Sequence, residues 1–238
     1  MNFVDIIAIV IIALGALAGF KRGAIKSLVQ LIGIVAIVIV AYQFKGLLGN
    51  VFIKYLPFFN FGGVLNELFS INILIYQGIA FVIMFVLLYC ILNILINLSG
   101  IIDLLIKFTV ILELPSKIIG TILGAIESLV FVFVLGFVLL QIAPAQKYIM
   151  DSKIMLPIVE RTPVVRDVFY RTNAAAVDMY RTVEKYQTSG NALEANLEIL
   201  RSLVVAGVVD AGVVQDCIDN GKLHMDNVVF SSGVARPW

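Results

Sequence analysis

The sequence is poor in residues that ionise. Only 14% of its 238 residues are Asp, Glu, Lys or Arg, whereas 61% are hydrophobic. The mean hydropathy of +1.04 lies well outside the range of soluble domains. A formal net charge of +1, with no cluster of Lys and Arg in the sequence, argues against a nucleic-acid interface, so no nucleic-acid partner is expected. The composition therefore predicts an integral membrane protein whose first partner is the lipid bilayer.

Residues that carry chemistry are also scarce. The chain has two cysteines, Cys90 in an apolar run and Cys217 in the polar C-terminal region, and one histidine, His224. It lacks a phosphate-binding glycine loop with Lys and Ser or Thr, a His-Glu-x-x-His motif and a cysteine pair at zinc spacing. Glu194 and Glu198, one helical turn apart, fit a solvated helix face better than an acid–base pair. We expect no catalytic residues, no metal site and no cofactor.

Four apolar runs are long enough to cross a bilayer. They are predicted at about residues 3–20, 24–44, 71–97 and 118–142, within a transmembrane domain of residues 1–144. The first run is not a signal peptide, because Asp5 precedes it and a basic turn, Lys21 and Arg22, follows it. We therefore expect an uncleaved first span.

Two further segments of this domain are expected at the membrane surface. Residues 45–70 mix glycines with aromatic side chains, which is typical of an interfacial loop. Between Ile101 and Lys117, apolar residues recur at helical spacing. This second segment is predicted to be an amphipathic helix lying in the interface.

Residues 145–238 hold most of the charged side chains and are predicted to form a soluble helical tail. Thr162 and Pro163 are a plausible start for a helix that reaches about Gln187. A second helix is expected from Asn191, and a short third one from about 208 to 220. The predicted fold class is therefore all-α, with four transmembrane helices followed by this tail.

A seven-residue segment occurs twice in the apolar part of the chain. Residues 23–29, Gly-Ala-Ile-Lys-Ser-Leu-Val, return as residues 124–130 with Glu127 in the place of Lys26. Each copy follows another glycine four residues upstream, and each is associated with a long apolar run. The repeat favours a transmembrane domain built from two repeated hairpins.

Small residues recur at intervals of four around both copies: Gly15, Gly19 and Gly23, and then Gly120, Gly124 and Ser128. This spacing places them along one face of a helix, where they permit close helix packing in a bilayer. The contact is either packing within one chain or, alternatively, a seam between copies or a hinge for a conformational change.

Glu127 is the most unusual residue of the predicted spans, because a carboxylate there costs about 2.5 to 3.5 kcal/mol on insertion scales. One hypothesis pairs it with Lys26, its counterpart in the other copy, as an intramembrane ion pair across a pseudo-twofold interface. The other makes Glu127 a functional carboxylate in a proton or ion path. Such a path would be lined by the side-chain amides of Asn72, Gln77, Asn93 and Asn97.

The distribution of Lys and Arg near the spans predicts the orientation. One side of the membrane carries Lys21, Arg22, Lys26, Lys107 and Lys117, whereas the loop on the other side carries Lys45 and Lys54. Lys147 and Lys153, after the last span, oppose this difference. The balance predicts that both termini lie outside the cytoplasm.

The first hairpin resembles a known family. Asp5 soon after the start, the glycine spacing of the first span, the Lys21-Arg22-Gly23 turn and the glycines near the fourth span together resemble the colicin V production protein family over about residues 1–144. The chain departs from the family pattern at Lys26, where many members have an acid after the Arg-Gly pair.

The resemblance implies a multi-pass protein of the bacterial cytoplasmic membrane, linked to toxin production or export, or to envelope homeostasis. The leading hypothesis is an accessory or scaffold protein that packs on a second copy or on another membrane or envelope protein. The alternative is a small channel or transporter with Glu127 in its conduction path.

Overall fold

The computed structural model describes residues 2–60, 62, 67–98, 113–161, 163–223 and 225. Its regular elements in this part are α-helices, and no strand is found there. The helices are α1 (Phe3–Arg22), α2 (Ala24–Tyr55), α3 (Ile71–Leu98), α4 (Glu113–Leu140), α5 (Ala143–Met150), α6 (Met155–Arg161), α7 (Pro163–Ser189), α8 (Ala192–Val205) and α9 (Ala211–Asp219).

The first four helices are long and apolar enough to cross a membrane. The candidate spans are Phe3–Arg22, Ala24–Tyr55, Ile71–Ile96 and Leu114–Leu140, with mean hydropathies from 2.4 to 3.0. Each has at least 20 residues, which is the length that a hydrocarbon core of about 30 Å requires. The predicted all-α class with four membrane helices is confirmed.

Helix α1 has a defined start and end. The Asn2 side chain accepts from the Asp5 N–H, and the Asp5 carboxylate accepts from the Asn2 N–H, which together form a capping box. At the other end Gly23 adopts φ +78° and its N–H donates to the Gly19 carbonyl at 3.0 Å. Because glycine adopts positive φ without steric cost, α1 can end there and α2 can begin at the next residue.

Helix α2 is longer than predicted. It continues through Gly46 and Gly49 to Tyr55, so the loop expected from residue 45 begins at Leu56. Gly49 lets the helix pack closely there: a Cβ at this position would lie 2.5 Å from Oε1 of Gln77. Tertiary packing therefore overrides the low helix propensity of glycine.

The fourth span also differs at both ends. Helix α4 starts at Glu113, so Pro115 lies in its first turn, where proline removes an N–H that has no intrahelical partner. It ends at Leu140, two residues before the predicted end at 142. The amphipathic helix predicted between Ile101 and Lys117 lies, for residues 101–112, outside the described residues.

The C-terminal region is helical, as expected. Helices α7, α8 and α9 fall where three helices were predicted, and Asn191 caps α8 by accepting from the Glu194 N–H at 3.2 Å. The two short helices α5 and α6 were not foreseen. Thr162, the predicted cap of α7, lies outside the described residues.

The described chain divides into two compact units. The first comprises Met1–Ala41, Ile83–Phe137 and Lys147–Arg166, and the second comprises Tyr42–Val82, Val138–Gln146 and Asp167–Trp238. These units do not follow the predicted boundary between residues 144 and 145, which is a boundary of composition and stays a prediction.

In the first unit, a glycine allows α2 and α3 to pack closely. A Cβ on Gly33 of α2 would lie 2.6 Å from Cδ2 of Leu92 in α3. Near this contact the Gln30 amide nitrogen donates to the Tyr89 hydroxyl at 3.3 Å and to Oδ1 of Asn93 at 3.4 Å. Gln30, near the start of α2, is thus paired with two side chains of α3, as buried polar groups require.

In the second unit, an aromatic cluster forms around Tyr76 of α3. The rings of Phe52, Phe58 and Phe59 lie 5.4 to 6.4 Å from its ring, centroid to centroid. Nearby, the Lys222 ammonium donates to the carbonyls of residues 53, 54 and 56, at 2.6 to 3.1 Å. This cation completes the C-terminal end of α2, where carbonyls lack intrahelical partners.

A second polar cluster in the same unit joins α8 to the segment before α3. Oδ1 of Asn196 accepts from the N–H and the hydroxyl of Ser70, at 3.0 and 2.7 Å, and its amide nitrogen donates to the Glu67 carbonyl. The Tyr186 hydroxyl donates to Oε2 of Glu67 at 2.7 Å. This bond, which needs the protonated phenol, raises the pKa of Tyr186 above its ordinary value, and partial burial adds to the shift.

Candidate functional site: the α1–α4 interface

Helices α1 and α4 pack backbone to backbone through their small residues. A Cβ built on Gly19 would lie under 3.0 Å from atoms of Gly120 and Gly124, and one built on Gly124 would meet Gly15 and Gly19 equally closely. Gly23 faces Ser116. Since a side chain at these glycines would have no room, the spacing of four serves close helix contact, the main source of association in a bilayer.

The pairs define the relative direction of the two helices. Gly15 contacts Ser128, Gly19 contacts Gly124, and Gly120 contacts Gly23. As the residue number rises along α1 it falls along α4, so the helices are antiparallel. The structure thus brings together all six residues of the predicted stripe within one chain.

Glu127 is held by Arg22. The Arg22 guanidinium donates to both carboxylate oxygens, at 2.6 Å through Nη2 and 3.4 Å through Nη1, and the side chains are only 20% and 5% exposed. This two-point contact is the geometry that arginine forms with a carboxylate. It satisfies a charge whose burial would otherwise be costly.

The predicted pair between Lys26 and Glu127 is corrected by this contact. A side chain of a helix leans toward the helix N-terminus, and Nε of Arg22 accordingly reaches back to the Ala18 carbonyl at 3.4 Å. In the antiparallel arrangement this brings the guanidinium level with Glu127. Lys26 lies beyond the turn in α2 and does not form an ion pair with Glu127, while Lys21, the other member of the basic turn, is exposed.

The start of α1 carries a second buried carboxylate, Asp5, whose contacts were not foreseen. Its Oδ1 accepts from the Ser152 hydroxyl at 2.5 Å and from the Ile154 N–H at 3.0 Å. The Ser152 oxygen in turn accepts from the Met155 N–H at 2.8 Å, at the start of α6. We call this group the Asp5 clasp. The only sequence signal for it was the acidic residue itself, since Ser152 lies beyond the predicted transmembrane domain.

A cavity of about 340 Å³ lies beside the ion pair and is lined by α1, α3 and α4. Gly15 and Gly124 form part of its lining, the apolar side chains of Leu14 and Phe131 line it further, and Arg22 and Glu127 contribute charged groups. We call it the α1–α4 cavity. Tyr89 of α3 also contributes, with its ring edge-to-face on Phe131 at 5.6 Å.

No group of three or more His, Cys, Asp or Glu side chains suited to a metal ion occurs among the described residues. The charged groups at the α1–α4 interface are paired with each other, and the glycines contact glycines. The chemistry that this arrangement supports is structural: it fixes two membrane helices in one register.

The fold and this interface define an integral membrane protein whose first and fourth helices are joined by glycine contacts and by the Arg22–Glu127 ion pair. A family model described as "Colicin V production protein" matches residues 4–163. The chain belongs to the colicin V production protein family, which confirms the resemblance found in the sequence. The match continues past residue 144 through α5 and α6, and so includes the Asp5 clasp.

Comparisons with curated proteins and with solved structures gave no match. Membership of the family supports a role in toxin production.

Proposed function

We propose that the protein is an accessory or scaffold protein of the bacterial cytoplasmic membrane, acting in toxin production or export or in envelope homeostasis. In this proposal the α1–α4 core is a rigid platform, and the C-terminal helices recruit a membrane or envelope protein or a second copy. The observation that carries it is the backbone contact of α1 with α4, from Gly15 to Gly23 on one helix.

Backbone contact of this kind favours a static role. Packed interfaces have few discrete arrangements, and small residues in contact leave no space for one helix to slide past the other without losing van der Waals contacts. The Arg22–Glu127 pair adds a directional constraint, since both oxygens of the carboxylate are engaged. A platform of fixed register is what a scaffold requires.

A channel or transporter is the second candidate, and the α1–α4 cavity beside Glu127 is the observation that favours it. The amides proposed to line a path are used inside the protein, which favours the scaffold. The Asn72 side chain binds the Phe59 backbone, Gln77 donates to Asn50, and Asn93 donates to the Tyr89 carbonyl. The side chain of Asn97 is outside the described residues.

The proposed orientation places both termini outside the cytoplasm, with the α1–α2 turn inside. It is supported by the cations near that turn: Lys21, Arg22 and Lys26, together with Lys117, whose Nζ lies 5.9 Å from the centre of the Phe20 ring. Single cysteines at Lys21 and Ser189, both exposed, test this in intact cells lacking Cys90 and Cys217. Labelling by an impermeant maleimide at Ser189→Cys alone supports the orientation, and labelling at Lys21→Cys alone reverses it.

The scaffold itself is tested by toxin release from producing cells in which this chain is the only family member. Gly19→Leu, which places a side chain against the backbone of Gly120, is expected to abolish release at unchanged membrane insertion. Gly46→Leu is the matched control, because a Cβ there meets nothing within 4 Å, and it is expected to release toxin normally. Normal release by Gly19→Leu contradicts the proposal.

The double variant Arg22→Gln, Glu127→Gln separates the two candidates. It keeps two hydrogen-bonding side chains of similar shape but removes both charges. If the protein is a scaffold, the double variant retains toxin release, and neither the double variant nor the unmodified protein shows ion flux in proteoliposomes. A conduction path through Glu127 shows flux in the unmodified protein and loses it in the double variant, which would overturn the scaffold.

A further inference from the structure

The α1–α4 cavity has the depth of one leaflet of a bilayer. On α1 its lining residues run from Ile11 to Arg22, and 11 residues at 1.5 Å each span about 16 Å. This is roughly half of a hydrocarbon core of about 30 Å. The cavity therefore extends from the end of α1 at the basic turn to near the middle of the membrane.

Its walls are divided into an apolar and a polar part. Leu14 and Phe131 provide apolar surface over the small residues Gly15 and Ala18, whereas Arg22 lies at the end of the helix. The volume of about 340 Å³ is at the lower end of the range for binding sites of small molecules. An elongated apolar chain with a polar end fits this division.

The polar part of the cavity contains hydrogen-bond donors that have no acceptor among the described residues. A guanidinium has five N–H groups, and the contacts of Arg22 with Glu127 and with the Ala18 carbonyl engage three of them. The Tyr89 hydroxyl accepts from Gln30, but its own O–H finds no acceptor among the residues that the structure describes. A ligand that brings acceptor oxygens matches the donors at this end of the cavity.

The charge at this end of the helices is positive. Lys21 is exposed beside Arg22, the cation that pairs with Glu127. After Glu127 is neutralised by Arg22, Lys21 remains as a counter-charge for an anion at the membrane surface.

We propose that the α1–α4 cavity binds one anionic phospholipid, with its phosphate at Arg22 and Lys21 and one acyl chain along Leu14 and Phe131. The phosphate and ester oxygens supply the acceptors that the donors of Arg22 and Tyr89 lack. The inference goes beyond the proposed function and does not depend on it, since a lipid of this kind can occupy a scaffold or a channel.

The full-length protein in detergent is titrated with phosphatidylglycerol and, separately, with phosphatidylcholine, and bound lipid is counted by native mass spectrometry. We expect one phosphatidylglycerol to bind about tenfold more tightly than phosphatidylcholine, the ratio that 1.4 kcal/mol produces. Ala18→Phe fills the cavity from an exposed position and is expected to weaken binding about tenfold or more. Leu17→Phe, at the neighbouring 61% exposed position outside the cavity, is the matched control and is expected to bind normally.

Three results would overturn the inference. The first is equal binding of the two lipids, and the second is unchanged phosphatidylglycerol binding by Ala18→Phe. The third is competition by glycerol phosphate, which lacks acyl chains, as effectively as by the lipid, because it would reduce the site to an anion site. If Ala18→Phe does not fold, Tyr89→Phe decides: removal of one donor is expected to weaken binding about threefold, and unchanged binding contradicts the proposal.

Discussion

The two copies of the repeated heptapeptide, residues 23–29 and 124–130, share six of seven residues and occupy different structures. In the first copy Gly23 adopts φ +78° and separates α1 from α2. In the second copy Gly124 lies inside α4, where the helix continues without a break. Nearly the same sequence therefore forms a turn and the start of a helix in the first copy, and the interior of a helix in the second.

The difference follows from what surrounds each copy. The first is preceded by the Lys21-Arg22 pair, whose charges mark the end of an apolar helix, whereas the second is preceded by apolar residues that keep α4 in the membrane. The two copies also differ at the one position where their sequences differ. Lys26 of the first copy lies just after the turn, whereas Glu127 of the second copy is buried and forms an ion pair with Arg22 of α1. A repeat in sequence thus need not be a repeat in structure.

Gly124→Leu is expected to have the largest effect on this comparison. Its side chain would meet the backbone of Gly15 and Gly19, which cannot move without separating α1 from α4. We expect a loss of more than about 3 kcal/mol in the free energy of unfolding, the upper part of the range for overpacking. Unfolding in detergent micelles measures it, with Gly46→Leu as the control. A loss under 1 kcal/mol would show that the interface is loose.

Arg22→Gln is expected to come next, because it leaves the Glu127 carboxylate buried without a cation. The expected loss is about 3 kcal/mol in the same unfolding measurement. Adding Glu127→Gln removes the unpaired charge and is expected to restore most of the stability. Lys26→Gln serves as the control at the equivalent position of the other copy and is expected to stay within about 0.5 kcal/mol. A larger loss of stability for Lys26→Gln than for Arg22→Gln would indicate that Lys26, and not Arg22, is the partner of Glu127.

Gly23→Ala tests whether the first copy needs glycine for its backbone conformation, because the expected cost is backbone strain and not a steric clash. An alanine at φ +78° is strained by about 1 to 2 kcal/mol, while its Cβ would lie 3.1 Å from Oγ of Ser116. We expect a loss of about 1 kcal/mol in unfolding free energy. Equal losses for Gly23→Ala and Gly124→Leu would mean that the two glycines serve the same purpose after all.

The equivalent serines of the two copies are expected to differ least. The Ser128 hydroxyl donates to the Ala125 carbonyl at 2.7 Å, whereas the Ser27 hydroxyl reaches the Gly19 carbonyl only at 3.5 Å. Ser128→Ala is expected to lower the unfolding free energy by about 0.5 to 1 kcal/mol and Ser27→Ala by less. Hydrogen exchange of the neighbouring backbone amides measures the same difference independently. A larger loss of stability for Ser27→Ala than for Ser128→Ala would contradict this prediction.

The sequence predicts the spans well where hydropathy is uninterrupted. Residues 71–97 were predicted for α3, which runs from Ile71 to Leu98, because no charge or glycine cluster obscures its ends. The end of α2 was misplaced by some ten residues, since Gly46 and Gly49 suggest a loop. Its actual end is completed by Lys222, which is 169 residues from Ile53 in the chain and gives no local signal.

The sequence predicted which small residues lie at the α1–α4 interface, but it did not predict which residue pairs with Glu127. The small-residue spacing selected Gly19, Gly124 and their neighbours, and these glycines do lie together. The partner of Glu127 was missed because the repeat was assumed to relate Lys26 to it by symmetry. The antiparallel glycine register, combined with the backward lean of helical side chains, would have pointed to Arg22.

The Asp5 clasp also sets an order of events during synthesis. Asp5 is synthesised 147 residues before Ser152, whose hydroxyl donates to its carboxylate. At 5 to 20 residues per second the interval lasts roughly 7 to 30 s. Throughout that time the first membrane helix is present without the partner that its buried carboxylate will acquire. Helix α1 therefore acquires this contact only after α2, α3 and α4 have been made.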